Sequence, residues 1–239
     1  MRGIALLGSR GVGRMNGLVV GARGAGDAAR GTGLRRIPKQ DRSRGRIDDI
    51  LNVAMDLIGR KGIDAVTMKE IASLSGGPIA SVYQYFPNKS AIIATLYQRY
   101  IAQVKALVMN GLVDVRGGGD ICRATDAMID LYAFFVRGHP AVQDLVNAIQ
   151  ADKMLADIDI SETRLVAAMF CEATEGFIDR DLRERYRCTA FTMCHLTVSL
   201  VRLVLKVPPE EGDRIISDYK ASVRAQIGMF VGHPAELPA

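Results

Sequence analysis

The sequence predicts an all-α fold: a small three-helix unit near the N-terminus, then a larger helical body. Three observations carry this. Apolar residues recur at i, i+3, i+4 and i+7 over most of the chain after residue 43. No stretch has the strict alternation of a half-buried strand, and no internal repeat is present. The interruptions are helix punctuation: a Thr-x-x-Glu box, paired glycines, and prolines where a helix would begin.

Residues 1–43 are read as a disordered extension. They are rich in Gly and Arg, poor in aromatics, and cannot bury enough apolar surface to offset their ordering entropy. The run IALLGSRGVG resembles a strand entering a phosphate loop, but no amphipathic helix follows Gly13. As an export signal its apolar core is only about four residues, short of the 7–15 such signals need.

From about Arg44 the pattern turns helical. Ile47, Ile50, Leu51, Ala54, Leu57 and Ile58 form one apolar face, and Gly62 ends it after Arg60 and Lys61. Thr67-Met68-Lys69-Glu70 opens a second helix, Met68 to about Leu74, as a capping box. Gly76-Gly77 break it. Pro78 suits the first turn of a third helix reaching about Gln84, and Pro87 ends the aromatic stretch Tyr83, Tyr85, Phe86. Asn88 caps a fourth, longer helix with Ile92, Ile93, Leu96, Tyr100, Val104 and Leu107 on its apolar side. Two short helices joined by a tight glycine turn, with a longer one before them, outline a helix-turn-helix in a DNA-binding unit. The domains are therefore placed at 1–43, 44–100 and 101–239.

The body reads as helices near 120–137, 140–156, 160–179, 181–206 and 210–230. Breakers stand at Gly117-Gly118-Gly119, His139-Pro140, the 157–159 stretch and Pro208-Pro209. The apolar run 190–207 contains His195 and Arg202 and is short of the about 20 clean apolar residues of a bilayer span, so a buried helix is expected there.

Charge is uneven: residues 1–43 carry a net +7, residues 44–100 +2, and residues 101–239 −4. A basic front end on an acidic body points to an anionic partner at the N-terminal side. Cys122, Cys171, Cys188 and Cys194 form no CxxC pair, and with three scattered histidines they make a poor metal site. No Ser-His-Asp arrangement or phosphate loop has supporting context, so no catalytic residue, metal or cofactor is assigned and no enzyme is expected. A reduced, cytoplasmic setting is expected.

The stretch Ile47 to Leu96 resembles the DNA-binding domain of the TetR family of bacterial transcriptional regulators. The resemblance runs through ILNVAMDLIGRKGIDAVTMKEIA and SGGPIASVYQYFPNKSAI. Its signature is a small hydroxyl residue, an aliphatic, Tyr, any residue, an aromatic, Phe, then a lysine opening the next helix. Gly77-Pro78 departs from it, since an aliphatic and a polar residue are more usual there. The resemblance implies that Tyr83 and Tyr85 contact phosphates and that Phe86 anchors the small core; Lys89, beside the free N–H groups at the start of the fourth helix, is a further candidate for a phosphate. Thr67 is a phosphate contact or a plain N-cap. Ile79, Ala80, Ser81 and Gln84 are candidates for base edges, with methyl contacts to thymine from the first two and an adenine contact from Gln84. Arg42, Arg44 and Arg46 form either a minor-groove arm, by analogy with homeodomains, or a solvated linker.

For the body, the resemblance implies a small-molecule effector pocket and a homodimer through the last two helices. Met128, Tyr132, Phe135, Met169, Phe170 and Phe177 are the candidate lining, against the plainer reading of an ordinary core. The function expected is a repressor that binds a palindromic operator as a dimer and is released by a small hydrophobic ligand. The alternative is a helical protein-interaction or ligand-binding module without sequence-specific DNA binding.

Overall fold

A computed structural model describes residues 41–151 and 153–231 and shows only helices, with two short 3-10 turns, among them. The helices are α1 (Asp41–Lys61), α2 (Met68–Leu74), α3 (Ile79–Tyr83), α4 (Lys89–Gly111), α5 (Gly118–Arg137), α6 (Pro140–Ala151), α7 (Lys153–Thr174), α8 (Arg183–Val204) and α9 (Pro209–Gly228). The 3-10 turns, Glu175–Phe177 and Arg180–Leu182, join α7 to α8. The disordered extension expected for residues 1–43 lies outside the described residues as far as 40, and α1 already begins at Asp41.

The chain divides into two compact units. The first takes in the described residues up to Gln103 together with 139–151; the second holds 104–138 and the residues after 151. The sequence put all residues after 100 in one body, but α6 packs on α1 in the first unit. Helix α4 runs unbroken through the division, its first part in one unit and Val104–Gly111 in the other.

In the first unit the local signals act as the sequence implies. Gly62 and Gly76 follow α1 and α2 with φ of 76° and 75°, the left-handed conformation that glycine adopts without strain. Asn88 Oδ1 accepts from the Ala91 N–H at 2.9 Å and caps α4. The core gathers Ile50, Leu51 and Ile58 of α1, Ile71 and Ala72 of α2, Val82, Phe86, and Ile92 and Tyr97 of α4.

In the second unit α5, α7, α8 and α9 pack together with the end of α4. Three ion pairs run between α5 and α9: Asp126–Arg224 at 2.5 Å, Asp130–Lys220 at 2.6 Å and Arg137–Asp213 at 2.9 Å. The expected break at 157–159 is absent, and α7 passes straight through it. No Gly or Pro stands there, and an interior Asp costs at most about 0.7 kcal/mol against Ala. Burial of Leu155, Val166, Ala167 and Phe170 outweighs that. No described helix is long and apolar enough to cross a membrane; the 190–207 run is mostly α8.

Candidate nucleic-acid interface and ligand cavity

Helix α3 has only five residues and no side-chain N-cap. It is placed by what it buries: Val82 and, just beyond its end, Phe86 have no exposed surface. Holding these two inward turns Ile79, Ala80, Tyr83 and Gln84 outward, and all four are exposed, Tyr83 at 39%. Ser81 and Tyr85 are half-buried at the edges of that face.

Thr67 is exposed and closes the capping box. Its Oγ1 accepts from the Glu70 N–H at 3.2 Å, and Glu70 Oε2 accepts from the Thr67 N–H at 3.1 Å. Glu70 also pairs with Lys61 at 2.5 Å. That lysine bond, then the Thr67 hydroxyl, holds its carboxyl below the ordinary carboxylate range.

Lys89 is more occupied than the sequence suggested. Its Nζ donates to the Ile63 and Asp64 carbonyls at 2.9 and 3.3 Å, tying the start of α4 to the α1–α2 loop. An ammonium has three donors, so a phosphate would take the third. Ser81 is committed too: its hydroxyl donates to Pro78 O at 2.8 Å and accepts from Arg46 Nη2 at 3.0 Å. Arg46 therefore lies on the turn between α2 and α3, which departs from both the groove-inserted arm and the solvated linker. Arg44 is exposed.

Separately, the second unit holds a partly open cavity of about 140 Å³ among α4, α5, α7, α8 and α9. Of the candidate lining residues, Met128, Tyr132 and Phe170 border this cavity; Phe135, Met169 and Phe177 do not. Phe135 is buried elsewhere, and Phe177 sits in a 3-10 turn at 38% exposure. The rest of the lining includes Val104, Leu107 and Val108 of α4, Cys194 and Thr197 of α8, Val223 of α9, and Phe230 just beyond the end of α9. The resemblance implies dimer packing for the last two helices, yet residues of both also line the cavity.

No Asp, Glu, Lys, Arg or His lines this cavity. Its hydroxyls are largely satisfied by the surrounding protein. Tyr186 and Thr174 share a hydrogen bond of 2.8 Å, and the Thr197 Oγ1 donates to Met193 O at 2.8 Å. Burial pushes the Cys194 thiol up to about 12, and it raises the Tyr186 phenol as well, so both are neutral at pH 7. Among the described residues no cluster of three or more His, Cys, Asp or Glu could hold a metal ion.

Comparison with known proteins bears on both units. Residues 50–96 match the family profile described as bacterial regulatory proteins, tetR family, and residues 119–230 the profile described as Tetracyclin repressor-like, C-terminal domain. The chain belongs to the TetR family.

A TetR-family transcriptional regulator from Streptomyces coelicolor has 26% identity and a TM-score of 0.58, over 80% of this chain and 99% of that one. FadR from Thermus thermophilus, a TetR-family repressor solved with lauroyl-CoA, has 16% identity and a TM-score of 0.58, over 81% and 99% of the two chains. Among curated proteins, the uncharacterized HTH-type transcriptional regulator YvdT of Bacillus subtilis is 27% identical over 94 residues, 39% of this chain and 46% of that protein. The chain thus spans about half the length of that curated relative.

Proposed function

We propose that this TetR-family chain is a transcriptional repressor of the bacterial cytoplasm that binds a palindromic operator as a homodimer and is released by a small, uncharged, mainly hydrocarbon effector. One observation carries the DNA half: burial of Val82 and Phe86 forces α3 to present Ile79, Ala80, Tyr83 and Gln84 together to solvent. Methyls and an amide suit base edges, and a phenol suits a phosphate oxygen. Thr67, Tyr85 and the third donor of Lys89 flank that face as phosphate contacts, while Ser81 has no free donor for a base.

The dimer reading rests on α8. Cys188, Thr192, Leu196, Ser199 and Leu203 are exposed at helical spacings, Leu203 at 51%. An apolar and small-residue stripe suits a second copy of the same helix pair, and twofold symmetry suits a palindrome.

The effector reading rests on a wall without charge. A buried carboxylate or phosphate there would find no cation to offset its desolvation. Helix α4 contributes Ile92 and Tyr97 to one core and Val104, Leu107 and Val108 to the cavity wall. An effector that favours one setting of α4 shifts operator affinity, with couplings typically about 1–3 kcal/mol.

Fluorescence anisotropy tests this on duplexes enriched from a random pool, with p-cresol and 4-methylbenzoate as a matched neutral and anionic pair. The expected result is tight operator binding weakened by p-cresol at concentrations where 4-methylbenzoate does nothing. Equal action of the two probes, or none by either, contradicts the effector class. Failure to enrich any duplex contradicts the repressor and favours the protein-interaction alternative.

A further inference from the structure

The turn between α2 and α3 is crossed by a side chain from a third helix. Arg46, in the early part of α1, donates through Nη1 to the Ser75 carbonyl and through Nη2 to Ser81 Oγ at 3.0 Å. Ser75 is the C-cap of α2; Ser81 lies in α3. One planar guanidinium therefore holds both sides of the turn.

The space for it comes from a missing side chain. A Cβ on Gly77 would lie 2.8 Å from Arg46 Nη2 and 3.2 Å from Ser81 Oγ. Position 77 is also where this chain departs from the aliphatic residue usual in the motif. Gly77 itself is the last link of the α2 cap, its N–H reaching Ala72 O at 3.4 Å. Removing an aliphatic group from the turn removes apolar packing. The arginine occupies that space instead and brings two directional bonds.

Helix α3 depends on such bonds. Five residues are far below the length at which a helix is stable alone, and no side chain caps its N-terminus. Val82 and Phe86 fix which face is buried, but they do not by themselves fix the angle of the axis to α2. The fork of Arg46 joins two atoms on opposite sides of the turn and restrains that angle. The cation also sits at the C-terminal end of α2, where the helix dipole favours it.

We infer that Arg46 is a positioning residue for DNA recognition, a clamp through Ser75 O and Ser81 Oγ that sets the angle at which α3 enters the groove, with Gly77 as the opening that admits it. This rests on the reading of α3 as the helix that meets DNA. It assigns Ser81 to the clamp rather than to base contact.

The test uses the full-length protein and duplexes that the wild type enriches from a random pool, with a scrambled duplex as reference, each titrated across salt. Arg46→Lys keeps the charge but not the fork; Arg46→Met loses both. Both variants are expected to lose about tenfold or more on the enriched duplex, the scale of a charged hydrogen bond. They should lose little on the scrambled one, and the salt slope should stay near that of the wild type. Gly77→Val should reproduce the loss, and the double variant Arg46→Met/Gly77→Val should be no worse than either single one, since both remove the same contact.

If Arg46→Lys binds as the wild type does while Arg46→Met weakens all sequences and lowers the salt slope by about 0.9, Arg46 is a phosphate contact and the clamp is refuted. Full affinity and discrimination in Arg46→Met also refute it. Melting curves accompany each variant. Should Arg46→Met unfold at the assay temperature, Ser81→Ala removes one arm of the clamp alone and is expected to give an intermediate loss of discrimination; no loss overturns the clamp. A wild type that enriches no duplex overturns the reading of α3, a result distinct from any of these.

Discussion

In the first unit Val82, Phe86, Ile71 and Ile50 have no exposed surface, and the turn between α2 and α3 is closed by hydrogen bonds on both sides. In the second unit about 140 Å³ stays open among five helices. The contrast follows from the work proposed for each. A helix that must meet a groove at one angle needs a filled core and fixed polar partners. A unit that must admit a ligand and change state needs a space whose occupation alters the balance between conformations. Close packing in one and a void in the other are two uses of the same rule, that every atom missing from an interior is felt by its neighbours.

The widest separation between the units should come from truncation. Phe86→Ala is expected to destabilise the first unit by about 3–5 kcal/mol in urea denaturation. Val198→Ala on the cavity wall should cost nearer 1 kcal/mol, because the methyls removed already face open space. Equal costs would mean that the cavity is filled in solution. Next in size is filling the space. Ala190→Phe, where a buried wall residue gains a ring, should change stability by at most about 1–3 kcal/mol and abolish the effector response while DNA affinity persists. An unaltered response would place the ligand elsewhere.

Smaller effects lie at the α2 cap. Thr67→Ala should cost about 1 kcal/mol by removing the cap, measured by urea melts. It should also weaken DNA binding equally across sequences if Thr67 touches phosphate; a stability loss alone would leave it a plain cap. Smallest is the pH effect of Glu70. Its folded pKa lies below the ordinary value, so its contribution is present above the usual carboxylate range and fades as pH falls through the lowered one. Glu70→Gln should flatten that part of the stability–pH curve; an unchanged acid limb would show that the pairing with Lys61 contributes nothing.

These differences also explain what could be read in advance. The capping box at Thr67, the glycine stops at 62 and 76 and the Asn88 cap are each decided within a few residues, and the sequence carries them, while the core role of Phe86 is legible only through the family resemblance. The clamp of Arg46 joins residues 29 and 35 positions apart, so no local pattern announces it. Its trace was Gly77 standing where an aliphatic was expected, an irregularity without a visible cause until the guanidinium beside it was seen. A cavity is less legible still, because it belongs to no residue. Phe135 and Phe177 have the same chemistry as Phe170, yet only Phe170 reaches the space. Two aspartates at 157 and 159 weaken the local pattern of α7 and predict a break, whereas burial further along the helix overrides them.

Operator recognition depends on the outward face of α3, and the most direct measurement is the change in sequence preference when one residue of that face is altered. Duplexes are enriched from a random pool with the wild type and with Gln84→Ala under identical salt. The prediction is an inverted repeat in both, with preference relaxed at one symmetric pair of base positions in the variant and kept elsewhere. An unchanged preference at every position, with binding intact, would show that α3 does not read the DNA and would contradict the account.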